Sequence, residues 1–420
     1  MFDLDYWQEI WSTITRNKTR SLLTAFGVFW GLFMLIILMG IGSGFRGGVG
    51  TMLNGVNANS AIIYTNTTSE PYKGLRKGRS WQMNSRDLTL IREKAQSVEY
   101  ISPMLSGSRS ENNTVRGVKT GTYSSQGITP DFFNIMEMEV LQGRLINEVD
   151  IQQRRKVCVI GEEIYETLFD IGEDPLGQNI RLNGRYFQVV GVIRPYSQVT
   201  IQSNPRSTVY MPFSTMQQMF MRGDYFYVMM CTAKPKFSAA TVEEEVKTIL
   251  KANHDIAPND EKAVGSYNLE KEFLMFQNLF LGIDVLVLIV GLGALFSGVI
   301  GISNIMLVTV RERTREIGVR RALGAKPKNI LLQVMSESLV LTTLAGLVGF
   351  LVAVGILALI TQAMSFSADS GEMSVFGPPL ISFKLALGAM GILIVSGAAA
   401  GLMPALKALQ IKAIDALRDE

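Results

Sequence analysis

The chain has 420 residues, a net charge of +3 and a mean hydropathy of +0.21. That length gives room for two or three domains. So small a charge argues against a dedicated nucleic-acid binder, and only 18% charged residues is too few for an ordinary soluble protein.

Residues 1–20 read as a short amphipathic segment ending in Arg16, Lys18 and Arg20. No charge then occurs until Arg46. A bilayer core needs about 20 apolar helical residues, so 21–43 is the first expected span. Its apolar part exceeds the roughly 7–15 residues of a cleaved signal, with no A-x-A-like site after it, so it reads as an uncleaved signal anchor. Residues 44–57, "GFRGGVGTMLNGVN", are expected to extend this helix as one side of a stalk.

Strand and helix patterns alternate in the next segment. "SAIIYTN" is strand-like, "SRDLTLIREKAQ" a helix with Ser85 as N-cap and Asp87 in its first turn, and "VEYISPML" a strand. The order recurs with "DYFYVMMCTA", a helix capped near Ser238, and "KAVGSYN". Residues 58–110 and 213–270 are therefore expected to form one α+β subdomain. Between them, 111–212 reads as a mainly β insertion. It contains "KVCVIGEEIYETLF", a hairpin about Asn183-Gly184 through a type I′ turn, and "STVYMPFSTMQQMF" with a helix capped at Ser214. Cys158 and Cys231 each sit in an apolar strand-like run and are expected to be buried free thiols, although a disulfide is possible in such a compartment.

Residues 271–283 place Phe273, Phe276, Leu279 and Phe280 on one helical stripe, the second side of the stalk. Charge-free runs then predict spans at 284–310, 329–363 and 383–406, separated by a basic loop at 311–328 and a short loop at 364–382, with a tail at 407–420. Lysines and arginines crowd the first of these loops, the N-terminus and the tail. The positive-inside rule therefore places both termini and the 311–328 loop in the cytoplasm. The expected fold class is a four-span α-helical membrane protein carrying a large extracytoplasmic α+β domain on a helical stalk.

Little in the chain points to catalysis. Its one histidine, His254, ends a polar helix and reads as solvated, with no ligand set around it in sequence. No Gly-Lys dipeptide occurs, so the P-loop pattern is absent and the chain is not expected to be an ATPase. "LSGSR" at 105–109 resembles the signature loop of ABC ATPases by coincidence, since it falls outside the cytoplasm. No catalytic, cofactor or metal residue is expected. Asp284 and Glu337 are ionisable groups near membrane depth, which carry a functional hypothesis by default. Glu337, nine residues after Lys328, lies roughly 13 Å further along its helix, placed either to pair with the arginine loop or to face a neighbouring helix. Two isolated carboxylates on different spans do not make a proton pathway, so structural pairing is favoured. Small residues at helix-packing spacing, Gly27, Gly31, Ala294, Ser297, Gly298 and Gly301 among them, suit either packing within the chain or a dimer seam through spans one and two.

One span, a large external domain, three further spans and "RERTREIGVRRALGAKPKNI" directly after the second span together resemble the permease subunits of the macrolide-exporter type of ABC transporters, the MacB/FtsX-like superfamily. "NKTRSLLTAFGVFWG", "TPDFFNIMEMEVLQGRLI" and "DALRDE" strengthen the match. The tail reads Lys412-Ala413-Ile414-Asp415 where such proteins often carry a proline. The resemblance implies a porter part with an inserted sabre part, and a dimer that is homomeric or paired with a related permease. It implies a separate ABC ATPase subunit that carries ATP and Mg, since only about twenty residues precede span one here. It also implies a periplasmic adaptor (membrane-fusion) protein, an outer-membrane exit duct and an inner-membrane location. The implied mechanism is mechanotransmission that drives efflux. A lipoprotein-extracting permease and an FtsX-like regulator of cell-wall hydrolases are the alternatives.

The basic loop carries the sharpest expectation. Anchoring to anionic lipid explains its arginines but not the glutamates and apolar residues among them. A short amphipathic helix ending at Gly324, with Pro327 opening the next span, explains both. The candidate ATPase-coupling residues are Arg313, Glu316, Ile317, Gly318, Arg320, Arg321, Ala322, Leu323 and Gly324, with Ile317, Val319, Ala322 and Leu323 as the docking side.

Overall fold

The computed structural model describes residues 18–107, 113–196, 200–220, 223–368, 377–379 and 383–410. The expected N-terminal segment, the 110/111 boundary, most of the loop at 364–382 and the tail with Lys412 to Asp415 lie outside the described residues. Two compact units result, one of Met1–Val49 with Asn278–Glu420 and one of Gly50–Gln277.

The second unit is built on a single sheet of 12 strands. In chain order its strands are β1 (Ser60–Thr65), β3 (Val98–Gly107), β4 (Asn113–Arg116), β5 (Lys119–Thr122), β6 (Ser124–Ile128), β7 (Met138–Gly143), β8 (Val157–Gly161), β9 (Asn179–Leu182), β10 (Arg185–Pro195), β11 (Thr208–Pro212), β13 (Val228–Ala233) and β14 (Val264–Asn268). They are ordered β14-β1-β13-β3-β6-β11-β8-β10-β9-β4-β5, with β7 beside β10. A separate ladder joins β2 (Met83–Asn84) to β12 (Tyr225–Phe226). The two recurrent strand–helix–strand patterns meet at one end, where β1 lies between β14 and β13 and β13 pairs with β3. Antiparallel pairing of Leu105 with Gly127 carries the same sheet into the inserted strands.

Alternation along each strand sends side chains to both faces, and both are covered. One face packs Ile63, Ile101 and Cys231 with Ile91 of α2 (Ser85–Lys94) and Val242, Val246 and Leu250 of α7 (Ala239–Asn253). The other packs Met230, Ile193 and Tyr210 with Phe132 and Ile135 of α3 (Phe132–Ile135). Two more short helices, α4 (Glu148–Gln152) and α5 (Glu162–Leu168), precede and follow β8, and α6 (Phe213–Phe220) follows β11.

Local chemistry accounts for most boundaries. Asn183 and Gly184 have φ of 50° and 77°, the doubly positive pair a type I′ turn demands. Ser238 caps α7 as expected, its side chain accepting from the Thr241 N–H. Two expected caps are corrected. The cap of α2 is Asn84 rather than Ser85, because Asn84 and Asp87 form a reciprocal capping box. Ser214 lies inside α6, which starts at Phe213, and its hydroxyl donates to the Ile151 carbonyl at 2.5 Å. His254 is also not a solvated histidine. Its Nε2 lies 2.9 Å from both oxygens of the buried Asp87, and its ring rests 4.8 Å from that of Trp81. Cys158 and Cys231 are buried free thiols on β8 and β13, with three strands between them.

The first unit is helical. Long helices α1 (Lys18–Leu53), α8 (Leu269–Glu312), α10 (Pro327–Ala368) and α11 (Phe383–Leu409) alternate with the short α9 (Thr314–Ala322). Four of these are long and apolar enough to cross a membrane, over Ala25–Thr51, Leu269–Glu312, Pro327–Met364 and Ala386–Leu409. Val28, Leu32, Leu295, Ile302, Leu357 and Leu393 fill the interior. Large apolar side chains such as Phe296, Leu359 and Val395 point outward. Helices apolar on all sides are suited to lipid rather than water.

Candidate functional site

The basic loop folds into a compact, well-tied structure. Helix α8 breaks at Arg313, whose φ of −100° and ψ of 12° leave helical geometry, and α9 restarts at Thr314. At its far end the Gly324 N–H donates to the Arg321 carbonyl and the Ala325 N–H to the Arg320 carbonyl. That is a Schellman closure, and it requires the left-handed φ of 93° that Gly324 supplies. Pro327 then opens α10, where its missing N–H costs nothing.

Side chains fasten α9 to the membrane helices. Arg313 Nη1 donates to Glu337 Oε1 at 3.0 Å, and the Glu337 side chain is only 7% exposed. The expected structural pairing of Glu337 is thus present, and of the two placements left open it is the arginine loop, through Arg313, that supplies the partner. Arg320 bridges Glu316 at 2.7 Å and Gln333 at 3.0 Å. Arg321 Nη1 donates to the Leu409 carbonyl at 2.9 Å, which satisfies a terminal acceptor of α11. Gln333 and Leu409 were not legible as partners, because neither carries a charge or motif.

The apolar residues of α9 divide between two faces. Ile317 and Gly318 are buried within the chain, whereas Val319 is 40% and Leu323 83% exposed. Ile317 is therefore corrected from a docking residue to a packing residue. Arg315, Val319, Ala322 and Leu323 form one outward stripe at i, i+4, i+7 and i+8. Leu323, the C-cap residue of α9, is the most exposed large apolar residue of this stripe.

The small residues of spans one and two are placed as follows. A Cβ added to Gly298 would lie 2.9 Å from the Gly27 backbone, and one added to Gly31 would lie 3.0 Å from Ala294 and Leu295 backbone atoms. Gly27, Gly31, Ala294 and Gly298 are engaged in packing within one chain, the first of the two uses the sequence allowed them. Ser297 is exposed, and Gly301 has nothing within 4 Å of its Cβ position. Asp284 pairs with Arg46 at 2.6 Å, both about half exposed. Among the described residues, no group of three or more His, Cys, Asp or Glu is placed to hold a metal ion.

Comparison with known proteins matches this architecture. The family of MacB-like periplasmic core domains covers residues 21–249, and the FtsX-like permease C-terminal family covers 288–413. The chain is 26% identical to the macrolide export ATP-binding/permease protein MacB of Syntrophobacter fumaroxidans over 97% of its own length and 63% of that protein. It is 28% identical to the pyoverdine export ATP-binding/permease protein PvdT of Pseudomonas putida, covering 99% of itself and 60% of PvdT. The chain thus spans about 60% of the length of these curated relatives. With the uncharacterized ABC transporter permease YknZ of Bacillus subtilis it shares 27% identity over 97% of both chains. Among solved structures it resembles the periplasmic region of MacB from Actinobacillus actinomycetemcomitans, with a TM-score of 0.42 and 22% identity over 54% of this chain and 96% of that one. It is a multi-pass inner-membrane protein with a large periplasmic domain, and it belongs to the MacB/FtsX family of ABC transporter permeases.

Proposed function

We propose that this chain is the permease of a mechanotransmission exporter, driven by a separate ATPase subunit that holds ATP and Mg. The observation that carries the reading is the outward Arg315–Val319–Ala322–Leu323 stripe on a helix fixed to α10 and α11 through Arg313, Arg320 and Arg321. An ATPase seated on that stripe pushes on α9, and the tied side chains pass the displacement to the membrane helices. Packed elements of this kind move between discrete arrangements rather than deforming smoothly. Helix α8, unbroken over 44 residues, carries the motion toward the periplasmic domain. There, 58–110 with 213–270 act as the porter part and 111–212 as the sabre part.

The relatives named for export of macrolides and pyoverdine support efflux as the output. A periplasmic adaptor and an outer-membrane duct are the further partners of this proposal. The permease acts as a homodimer or with a related permease. With the other small residues engaged inside the chain, the face of α8 bearing Ser297 and Gly301 is the remaining contact. The test is capture of an ABC ATPase by the tagged chain from its own membranes, followed by ATPase assay of the complex. Leu323→Asp and Val319→Asp should abolish capture and stimulation while the permease stays folded. Unchanged capture in both variants would overturn the assignment.

A further inference from the structure

A cavity of about 340 Å³ opens between α1, α8 and α11 beside the Arg46–Asp284 pair. Leu35, Met39, Val287, Leu288, Ala389 and Ile392 form its walls. Two glycines keep it empty of protein. A Cβ on Gly388 would meet nothing within 4 Å, and one on Gly42 would meet only Ile283 Cγ2 at 3.9 Å. The volume lies within the roughly 300–1,000 Å³ typical of small-molecule sites. Water is a poor occupant, because apolar cavities offer it too few hydrogen-bond partners and stay dry. Left vacant, the walls forfeit dispersion contacts.

The one charged feature on its boundary is a matched pair. Arg46 Nη2 donates to Asp284 Oδ2 at 2.6 Å, and the Arg46 guanidinium lies 5.4 Å from the centre of the Phe280 ring. The side chains are 51% and 57% exposed, so both reach beyond each other. A guanidinium has five N–H donors and a carboxylate several lone-pair sites, which leaves capacity for a second partner on each. An anionic head would meet Asp284 as well as Arg46, and a cationic one the reverse. A head with a phosphate and an N–H-bearing ammonium satisfies both. Asp284 lies 27 residues before Arg311 on α8, roughly 40 Å along the helix, which is further than a hydrocarbon core of about 30 Å.

We propose that this cavity holds an acyl chain of a zwitterionic phospholipid of the outer leaflet, with its phosphate on Arg46 and its ammonium on Asp284. Arginine favours phosphate through paired N–H donors, and the ammonium makes a charge-assisted bond to the carboxylate. The bound lipid completes the packing of α1, α8 and α11.

Photolabelling tests this directly. The full chain is reconstituted in phosphatidylglycerol vesicles with a trace of diazirine-tailed phosphatidylethanolamine, irradiated and mapped by mass spectrometry. Adducts are expected at 283–292 and 388–392, and unlabelled phosphatidylethanolamine should compete about tenfold better than phosphatidylglycerol, the ratio one charge-assisted bond supplies. Gly388→Leu adds bulk at a cavity wall where a Cβ meets nothing and should remove these adducts from a chain that melts as the wild type does. Asp284→Asn should keep the adducts and lose the preference for phosphatidylethanolamine. Equal labelling in Gly388→Leu, or adducts spread evenly to outward residues such as Leu359 and Val395, would overturn the site. An unaltered preference in Asp284→Asn would overturn the headgroup assignment.

Discussion

The two units reach close packing by opposite means. The periplasmic unit buries large side chains on both faces of a sheet, Phe132, Phe187, Phe226 and Tyr210 among them, and gives buried carboxylates such as Asp87 and Asp150 specific partners. The membrane unit brings backbones together where side chains are missing, as at Gly27 against Gly298 and Gly349 against the Phe29 carbonyl. The solvents explain the difference. In water, apolar area drives burial at about 25 cal/mol per Å². In lipid that drive between helices is absent, so association depends on close contact and interhelical hydrogen bonds. Added bulk should therefore damage the membrane unit most, and lost polar partners should set the pH response of the periplasmic unit.

The largest effect is expected from Gly31→Leu or Gly298→Leu. Each added side chain meets backbone atoms at about 3 Å, which no rotamer change relieves, so the folded monomer should be lost from detergent extracts by size-exclusion chromatography. A stable monomer in either variant would break the contrast between the units. Next comes Glu337→Ala, which leaves Arg313 without its buried carboxylate. Breaking a buried pair costs up to roughly 3–5 kcal/mol, and Arg313, at 23% exposed, keeps the effect toward the lower end. A thermal melt of the purified chain reads this loss. Glu337→Gln should recover part of it, since the amide oxygen still accepts.

In the periplasmic unit Glu243 offers a pH test. Burial pushes its carboxyl up, but bonds from Lys247, Ser266 and Asn268 outweigh that and hold it at about 2. A depressed carboxylate contributes stability that is present above the unfolded value near 4.5 and lost as pH falls toward about 2. Glu243→Gln should therefore lower stability at neutral pH by up to about 3 kcal/mol and flatten the acid dependence in that window. Denaturant melts from pH 2 to 7 would show it. The smallest effect is Asn84→Ala, which removes one half of a capping box and should cost about 1 kcal/mol in the same melts.

Legibility followed the same divide. Spans were plain in the sequence because twenty charge-free residues have few other uses, and the hairpin at Asn183-Gly184 because a type I′ turn tolerates few alternatives. Strands β4 to β7 were not identified. "NTVR" and "KTGT" lack apolar alternation, and β4 and β5 pair at a sheet margin where side chains do not announce a face, whereas β6, between β3 and β11, carries the polar run "SSQG". The arginine loop was readable as a short helix closed by Gly324. Which side of it faced inward was not, since Ile317 and Val319 are equally apolar and only the position of α10 distinguishes them. Glu337 was expected to pair nearby, yet its choice of Arg313 depended on the break in α8. The Arg46–Asp284 contact joins residues 238 apart, and no local pattern could reveal it.

The two cysteines carry a practical consequence. They are the only ones in the chain, and burial pushes Cys158 upward and Cys231 to about 12. At neutral pH neither presents a thiolate, the species that alkylating reagents attack. A cysteine placed at Val319 or Leu323 would thus be the single reactive sulfur of the native molecule. Its protection from maleimide would report contact at α9 directly, with no need to strip the protein of its own thiols first.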